Sequence, residues 1–167
     1  MRFDLSSAAV LALAVASALT TAWWMDKAGL RSQAQAAVPV HAAASGEPAQ
    51  VLRASDGHYW AEARIDGQAV RLMVDTGASV VVLTRADAAR LGQRLTDDDF
   101  TAEVTTASGS VRAAPVRLRS VAVAGARVDA VEALVVEAGL PHSLLGMSYL
   151  GRLSAFSATP SGLTLRP

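Results

Sequence analysis

From Val51 onward, short runs of strand-forming residues alternate with turn residues such as Gly, Asp and Ser. The first two runs are separated by Asp66-Gly67, a dipeptide that favours a two-residue hairpin turn. The runs are His58 to Ile65, Gln68 to Val74, Val80 to Leu83, Phe100 to Thr106, Val111 to Leu118, the two arms of a hairpin around Gly125 within Val121 to Val136, and Leu163 to Leu165. Strands this short and this evenly spaced predict an all-β domain that is closed or folded over on itself.

Two short helices are expected to interrupt the strands. Thr84 is suited to cap the N-terminus of a helix that runs to Leu91, and Gly92 is suited to end it. A second short helix is predicted after Gly146. Both segments are accessories to the β structure, because neither is long enough to form a helical layer.

The first 50 residues have a different character. Residues 8–25 carry no charge over about 18 positions, near the lower limit for crossing a bilayer, and Trp23 and Trp24 close the stretch. We expect residues 1–25 to be an uncleaved membrane anchor; a signal peptide cleaved after Ala16-Ser17-Ala18 is the alternative. Residues 26–50, rich in Ala, Gln and Ser, predict a flexible linker, which leaves residues 51–167 as the folded domain.

Composition excludes several classes of function. Acidic and basic residues are equal in number after Val51, so nothing in the charge favours a nucleic acid partner. The chain has no cysteine, which removes disulfides, thiolate zinc sites and cysteine nucleophiles. The three histidines lack zinc-site spacing, and Asp97-Asp98-Asp99 lacks the pattern of a calcium loop. No metal or other cofactor is therefore predicted.

The segment most indicative of chemistry is Asp75-Thr76-Gly77-Ala78-Ser79. The apolar run before it would deliver Asp75 to the end of a strand, and Gly77 permits a tight turn there. Nearby backbone N–H groups could then hold the carboxylate in one orientation. An ordinary strand-to-turn corner is the alternative interpretation, because Asp, Thr and Gly all favour turns.

This segment resembles the D-T-G-A/S motif of aspartic peptidases, and residues 51–167 are similar to the retropepsin-like family in the order of their segments. Leu144-Leu145-Gly146 resembles the hydrophobic-hydrophobic-glycine segment that flanks the catalytic loop in that family. Thr106-Ala107-Ser108-Gly109 falls where the family places its flap hairpin, and Ser143 to Leu150 resembles the version in single-domain, membrane-anchored bacterial members. The resemblance implies a closed β-barrel with one or two short helices.

The resemblance also implies a homodimer, because the mechanism needs two carboxylates and the chain carries one such motif. Asp75 from each copy would share a proton and activate a water that attacks the peptide carbonyl. Thr76 would hydrogen-bond to its counterpart in the other copy, Gly77 would donate its N–H toward the carboxylate, and Ser79 would support that carboxylate. Residues 144–146 would pack behind the loop, and residues 106–109 would cover an extended peptide.

The expected function is therefore that of an aspartic endopeptidase. The resemblance places it at the bacterial inner membrane, facing the periplasm, whereas the charges that flank residues 8–25 do not decide the orientation. A catalytically silent peptide-binding adaptor with the same fold is the alternative. Cleavage of its own linker between Gln33 and Gln50 is a further hypothesis for the same enzyme.

Overall fold

The structure is a computed structural model and describes residues 43–106 and 109–167. The predicted anchor at residues 1–25, the alternative signal peptide and most of the linker lie outside the described residues. Nowhere in the two described ranges is there a helix long and apolar enough to span a bilayer.

The described residues form ten strands, two α-helices and one 3₁₀ turn at Asp97–Asp99. The strands are β1 (Ala49–Leu52), β2 (Trp60–Ile65), β3 (Gln68–Val74), β4 (Val81–Leu83), β5 (Ala102–Thr106), β6 (Gly109–Val123), β7 (Ala126–Val136), β8 (Leu144–Leu145), β9 (Ala155–Ala158) and β10 (Gly162–Arg166). The helices are α1 (Arg85–Arg90) and α2 (Met147–Leu150). This mostly β architecture with two short helices confirms the prediction of a β domain interrupted by short helices.

Six of the strands close into a barrel in the order β2-β3-β8-β4-β7-β6. Closure comes from β6, which returns to β2 by antiparallel pairing of Val123 with Ala63 and of Val121 with Ile65. Over its 15 residues, β6 pairs with β5 at its start, with β7 along most of its length and with β2 at its end. The sequence had predicted two separate strands here, ending at Leu118 and restarting at Val121.

A second sheet has the order β1-β10-β9, with the C-terminal strand in the middle. Ala49 and Val51 of β1 are 3% and 5% exposed and join the main core. Strand pairing begins even earlier, with a bridge between Ser45 and Arg127. Regular pairing thus starts before the predicted domain start at Val51, because the inward-facing side of β1 includes Ala49.

The predicted hairpin turn at Asp66-Gly67 and the predicted helix cap at Thr84 both have the expected geometry. Asp66 and Gly67 have φ angles of 51° and 92°, the paired positive values that a type I′ hairpin turn requires. Thr84 caps α1 by accepting a hydrogen bond from the Asp87 N–H at 3.1 Å, and Gly92 follows with a φ of 80°. These elements confirm the first hairpin and the first helix.

The core has two parts. The larger one fills the barrel and includes Tyr149, a fully buried side chain whose hydroxyl donates to the Ala126 carbonyl at 2.9 Å. Burial raises the pKa of the Tyr149 hydroxyl, so it stays a neutral donor. The smaller part consists of Val82, Ala113 and Val136 together with half-buried apolar neighbours. Several of those neighbours line the groove described next.

Candidate active site

Asp75 lies directly after β3, at the end of a barrel strand. Strand β8 runs parallel to β3 and pairs Leu144 with Met73 and Leu145 with Val74. The Asp75 N–H continues this ladder by donating to the Leu145 carbonyl at 3.1 Å. The backbone position of the acid is therefore set by a strand that is only two residues long.

The predicted Leu144-Leu145-Gly146 segment packs behind the loop that carries Asp75. On its other edge β8 pairs with β4, and the Met147 N–H donates to the Ala78 carbonyl at 2.8 Å. A Cβ added to Gly146 would lie 2.1 Å from the Val80 carbonyl oxygen, inside van der Waals contact. Glycine is required at this position because the loop backbone occupies the space of a side chain.

Asp75 is a half-buried residue, and its Oδ1 accepts a hydrogen bond from the Gly77 N–H at 2.9 Å. Its loop is tightened by the Ala78 N–H, which donates to the Asp75 carbonyl at 3.3 Å. Among the described residues Asp75 has no ion pair. Thr76, Gly77 and Ser79 are exposed. The acid is oriented by its own loop and is otherwise open to the outside.

A groove of about 750 Å³ opens beside Asp75. One wall comes from the loop that carries Asp75 and the ends of β3 and β4, one from the hairpin of β5 and β6, and one from the segment that leads to β8. Most of its side chains are aliphatic: Met73, Val80, Val82, Val104, Val111, Leu134, Val136, Leu140 and Leu144. Such a groove can hold the apolar groups of a ligand. A carboxylate at its edge can then act on a polar bond of the same ligand.

The hairpin of β5 and β6 lies where the flap was predicted. Thr106 pairs with Gly109 across the end of the ladder, and Gly109 has a φ of 117°. Ala107 and Ser108 lie outside the described residues. Strand pairing reaches closer to the tip than expected, because β6 already begins at Gly109. Val104 and Val111 line the groove beneath this hairpin.

Two serines near the site were missed in the sequence. The buried Ser143 connects β8 to α1, as detailed below. Ser148 accepts a hydrogen bond from the Val81 N–H at 2.9 Å and donates to the Glu132 carbonyl at 2.7 Å. Both lie in the segment from Ser143 to Leu150 that carried the family resemblance. Their position in that segment could have marked them as candidate structural residues near Asp75.

A second cavity of about 410 Å³ shares Pro141 and His142 with the groove. Trp60 forms part of its wall and donates from Nε1 to Asp56 Oδ2 at 2.8 Å. The His58 N–H and the Trp60 indole together lower the pKa of the Asp56 carboxyl. In neither described range do His, Asp and Glu residues cluster in a way that could hold a metal ion.

Comparison with known proteins agrees with this geometry. The family model described as "gag-polyprotein putative aspartyl protease" matches residues 61–152, more than half of the chain. The structure also superposes on a retropepsin-like aspartic protease from Rickettsia conorii with a TM-score of 0.65 and 35% identity, over 73% of this chain and 92% of that one. The chain belongs to the retropepsin-like aspartic protease family.

Further relatives extend the comparison. EIAV protease in complex with the inhibitor HBY-793 shares the fold, with a TM-score of 0.51 and 22% identity over 63% of this chain and 96% of that one. An uncharacterized protein of Rickettsia prowazekii (strain Madrid E) is 39% identical over 106 residues, which are 64% of this chain and 46% of that protein. An uncharacterized protein in the cobV 5′ region of Sinorhizobium sp. is 37% identical over 112 residues, 66% and 48% of the two chains. This chain thus spans about half the length of the curated relatives it matches.

Proposed function

We propose that this protein is an aspartic endopeptidase that hydrolyses peptide bonds with a water held between two Asp75 carboxyls, one from each copy of a homodimer. The observation that carries the proposal is the Asp75 carboxylate, oriented by the Gly77 N–H at the edge of an aliphatic groove. The chain has one Asp-Thr-Gly segment, so the second acid comes from a second copy.

The chemistry follows from the proximity of the two acids. Carboxylates about 3 Å apart cannot both ionise at low cost, so they share one proton. The ionised Asp75 accepts a proton from the bound water as the water attacks the peptide carbonyl. The protonated Asp75 stabilises the developing oxyanion, and a proton then passes to the leaving nitrogen. The two titrations belong to the pair and not to either chain.

The groove supports an extended peptide substrate. A peptide can lie along the β5–β6 hairpin as an added strand and be held by main-chain hydrogen bonds. The aliphatic lining, which includes Val82 and Leu134, favours a medium-sized apolar side chain next to the bond that is cut. Thr76 is exposed on the same loop as Asp75, as a hydrogen bond to the second copy requires.

The second copy would pair through the outer edge of β9. Strand β10 is flanked on both sides by β1 and β9 of its own chain, so it has no free edge to share. All four residues of β9 are exposed, and Phe156 is one of two large hydrophobic side chains exposed in the described residues. An exposed strand edge with an apolar residue is a template for pairing with another chain.

Residues 8–25 would anchor the enzyme in the bacterial inner membrane, with the protease domain in the periplasm. The uncharged stretch closed by Trp23 and Trp24 supports an anchor, and the family resemblance supports the orientation. Confinement in a membrane would also raise the local concentration of chains and so favour the dimer.

The test uses a diverse peptide library at mildly acidic pH, with wild-type protein and the variants Asp75→Asn and Asp75→Ala. New peptide termini are expected with the wild type and not with either variant. Purified Asp75→Ala protein that cuts as fast as wild type would overturn the mechanism. Binding of peptides without new termini would favour the adaptor function.

A further inference from the structure

Ser143 is one of two buried polar residues identified in the described part of the chain, with 1% of its surface exposed. Its hydroxyl donates to Asp87 Oδ2 at 2.5 Å and accepts from the Thr84 N–H at 3.0 Å. The Ser143 hydroxyl therefore both donates and accepts a hydrogen bond at the N-terminal end of α1, which is far from Ser143 in sequence. This arrangement ties the start of β8 to that helix.

The backbone of the same residue reaches β3. The Ser143 carbonyl accepts a hydrogen bond from the Met73 N–H at 2.9 Å, and two residues later the Leu145 carbonyl accepts from the Asp75 N–H at 3.1 Å. Strand β8 has only two residues, so it has few ladder hydrogen bonds with which to set its own register. The Ser143 side chain supplies an additional fixed point just before it.

Asp87, the acceptor in this contact, is itself held in place. Its side chain is 16% exposed, and its other oxygen, Oδ1, accepts from Arg90 at 2.6 Å. The Asp87 N–H donates to the Thr84 hydroxyl that caps α1. Both oxygens of the Asp87 carboxylate are thus hydrogen-bonded, so Ser143 has a well-oriented acceptor.

We propose that Ser143 is a positioning residue for Asp75. By bonding to Asp87 and to the Thr84 N–H, it sets the register of β8 against β3 and thereby the orientation of the loop that carries the acid. The inference rests on the proposed function, since its kinetic consequence needs the two Asp75 carboxyls to act on a water. A displacement of the order of 1 Å at such a site costs about 100-fold in rate.

The kinetic test compares Ser143→Ala with Ser120→Ala. Ser120 is also buried, at 8% exposure, but it lies beside Asp66 at the opposite end of β3. Ser143→Ala is expected to lower kcat by about 10-fold or more with KM changed less than about 2-fold. Ser120→Ala is expected to leave both constants near their wild-type values.

Variants of Asp87, the hydrogen-bond partner of Ser143, make this test more specific. Asp87→Ala removes the acceptor while leaving the buried Ser143 in place, and it should reproduce the loss in kcat. Arg90→Ala removes the cation from the other carboxylate oxygen but leaves the Ser143–Asp87 hydrogen bond, so it should lower kcat less than Asp87→Ala does. The double variant Ser143→Ala/Asp87→Ala should lose no more than the more affected single variant, because both remove one contact.

Amide hydrogen exchange tests the inference without reference to activity. In Ser143→Ala, and in Asp87→Ala if the first variant does not fold, exchange at the Met73, Thr84 and Asp75 amides should rise by about 10-fold or more. Ser120→Ala should leave these three amides protected. If the wild type cuts no peptide, the proposed function fails while the exchange result still decides the positioning role. Unchanged exchange at these amides, or an unchanged kcat in an active enzyme, would overturn the inference. Ser143 would then contribute to packing and not to the position of Asp75.

Discussion

Strand β3 has an aspartate followed closely by a glycine at each end, and the two aspartates have opposite surroundings. Asp66 precedes the strand; its Oδ1 accepts from the Ser120 N–H at 2.9 Å, and Arg119 lies 3.6 Å from Oδ2. Its side chain is only 12% exposed. Asp75 follows the strand; its carboxylate accepts the Gly77 N–H of its own loop and otherwise opens onto the groove.

The difference arises from the strand that passes each acid. β6 brings a donor to one oxygen of Asp66 and a cation near the other, so both oxygens of that carboxylate have a partner at the turn. The β8 backbone accepts from the Asp75 N–H, and the carboxylate itself accepts from the Gly77 N–H, so its remaining lone pairs stay available for a proton or a water. Asp56 resembles Asp66, because its two oxygens accept from the His58 N–H and the Trp60 indole. Of these three aspartates, Asp75 is the one that lines the groove.

The largest effect is expected from Asp75→Asn compared with Asp66→Asn. Asp75→Asn should lower kcat/KM by at least about 10³-fold, because an amide cannot take up the proton of the attacking water. Asp66→Asn should keep nearly full activity, since asparagine also accepts from the Ser120 N–H and tolerates a positive φ. Peptide cleavage assays on the two purified variants measure the ratio of their kcat/KM values. Equal losses would contradict the proposed difference between Asp75 and Asp66.

Gly146→Ala compared with Gly92→Ala tests how tightly β8 packs behind Asp75. A Cβ at Gly146 would meet the Val80 and Ala78 backbone at 2.1 Å and 2.7 Å, so we expect a loss of about 3 kcal/mol in stability and a lower kcat. Gly92 has no atom within 4 Å of an added Cβ, so only its positive φ matters, at about 1–2 kcal/mol. Urea unfolding gives both values. A tolerated Gly146→Ala would mean that the loop is not packed as described.

Asp66→Ala should affect stability and not catalysis. It leaves the N–H of the buried Ser120 without its side-chain acceptor, which costs about 1–2 kcal/mol. The activity per folded molecule should stay at the wild-type level, because the turn lies at the far end of β3. Thermal unfolding and active-site titration on the same sample separate the two quantities. A drop in kcat with unchanged stability would contradict the assignment.

The smallest effect concerns Asp56. Its pKa is lowered from the ordinary value of 3.8, chiefly by the His58 N–H and then by the Trp60 indole. Its contribution to stability is therefore fully present above about pH 4 and is lost as the pH falls toward the lowered folded-state pKa. Asp56→Asn should flatten the pH dependence of stability below pH 4 by a small amount, measured by urea unfolding at several pH values. An unchanged slope would indicate that Asp56 is not held in this way.

The sequence predicted the features whose signals are local. Asp66-Gly67, the Thr84 cap and the Asp75-Thr76-Gly77 segment each depend on neighbouring residues, and all adopt the expected local structure or position. Strand β6 was predicted as one run from Val111 to Leu118 and a second run from Val121, whereas in the structure Arg119 and Ser120 continue the strand. Pro115 is tolerated because the pairing of β6 with β5 ends at Ala113 and that with β2 begins at Val121, which leaves one edge without a strand partner in the described residues.

The features that were missed depend on contacts between distant parts of the chain. β9 is a short run of exposed residues with no alternation of apolar and polar positions, and it exists because β10 offers an edge. The contact between Ser143 and Asp87 joins residues 56 positions apart, and no spacing rule pairs them. Tertiary geometry decides such elements after the local signals have set the strands and turns.

The most direct measurement mixes wild-type and Asp75→Ala chains in equal amounts, unfolds and refolds them together, and assays cleavage at constant total protein. If one active centre needs Asp75 from both copies, random pairing leaves about one quarter of the wild-type activity. If each chain acts with its own carboxylate, about one half remains. The account predicts the lower value, and a result near one half would contradict it.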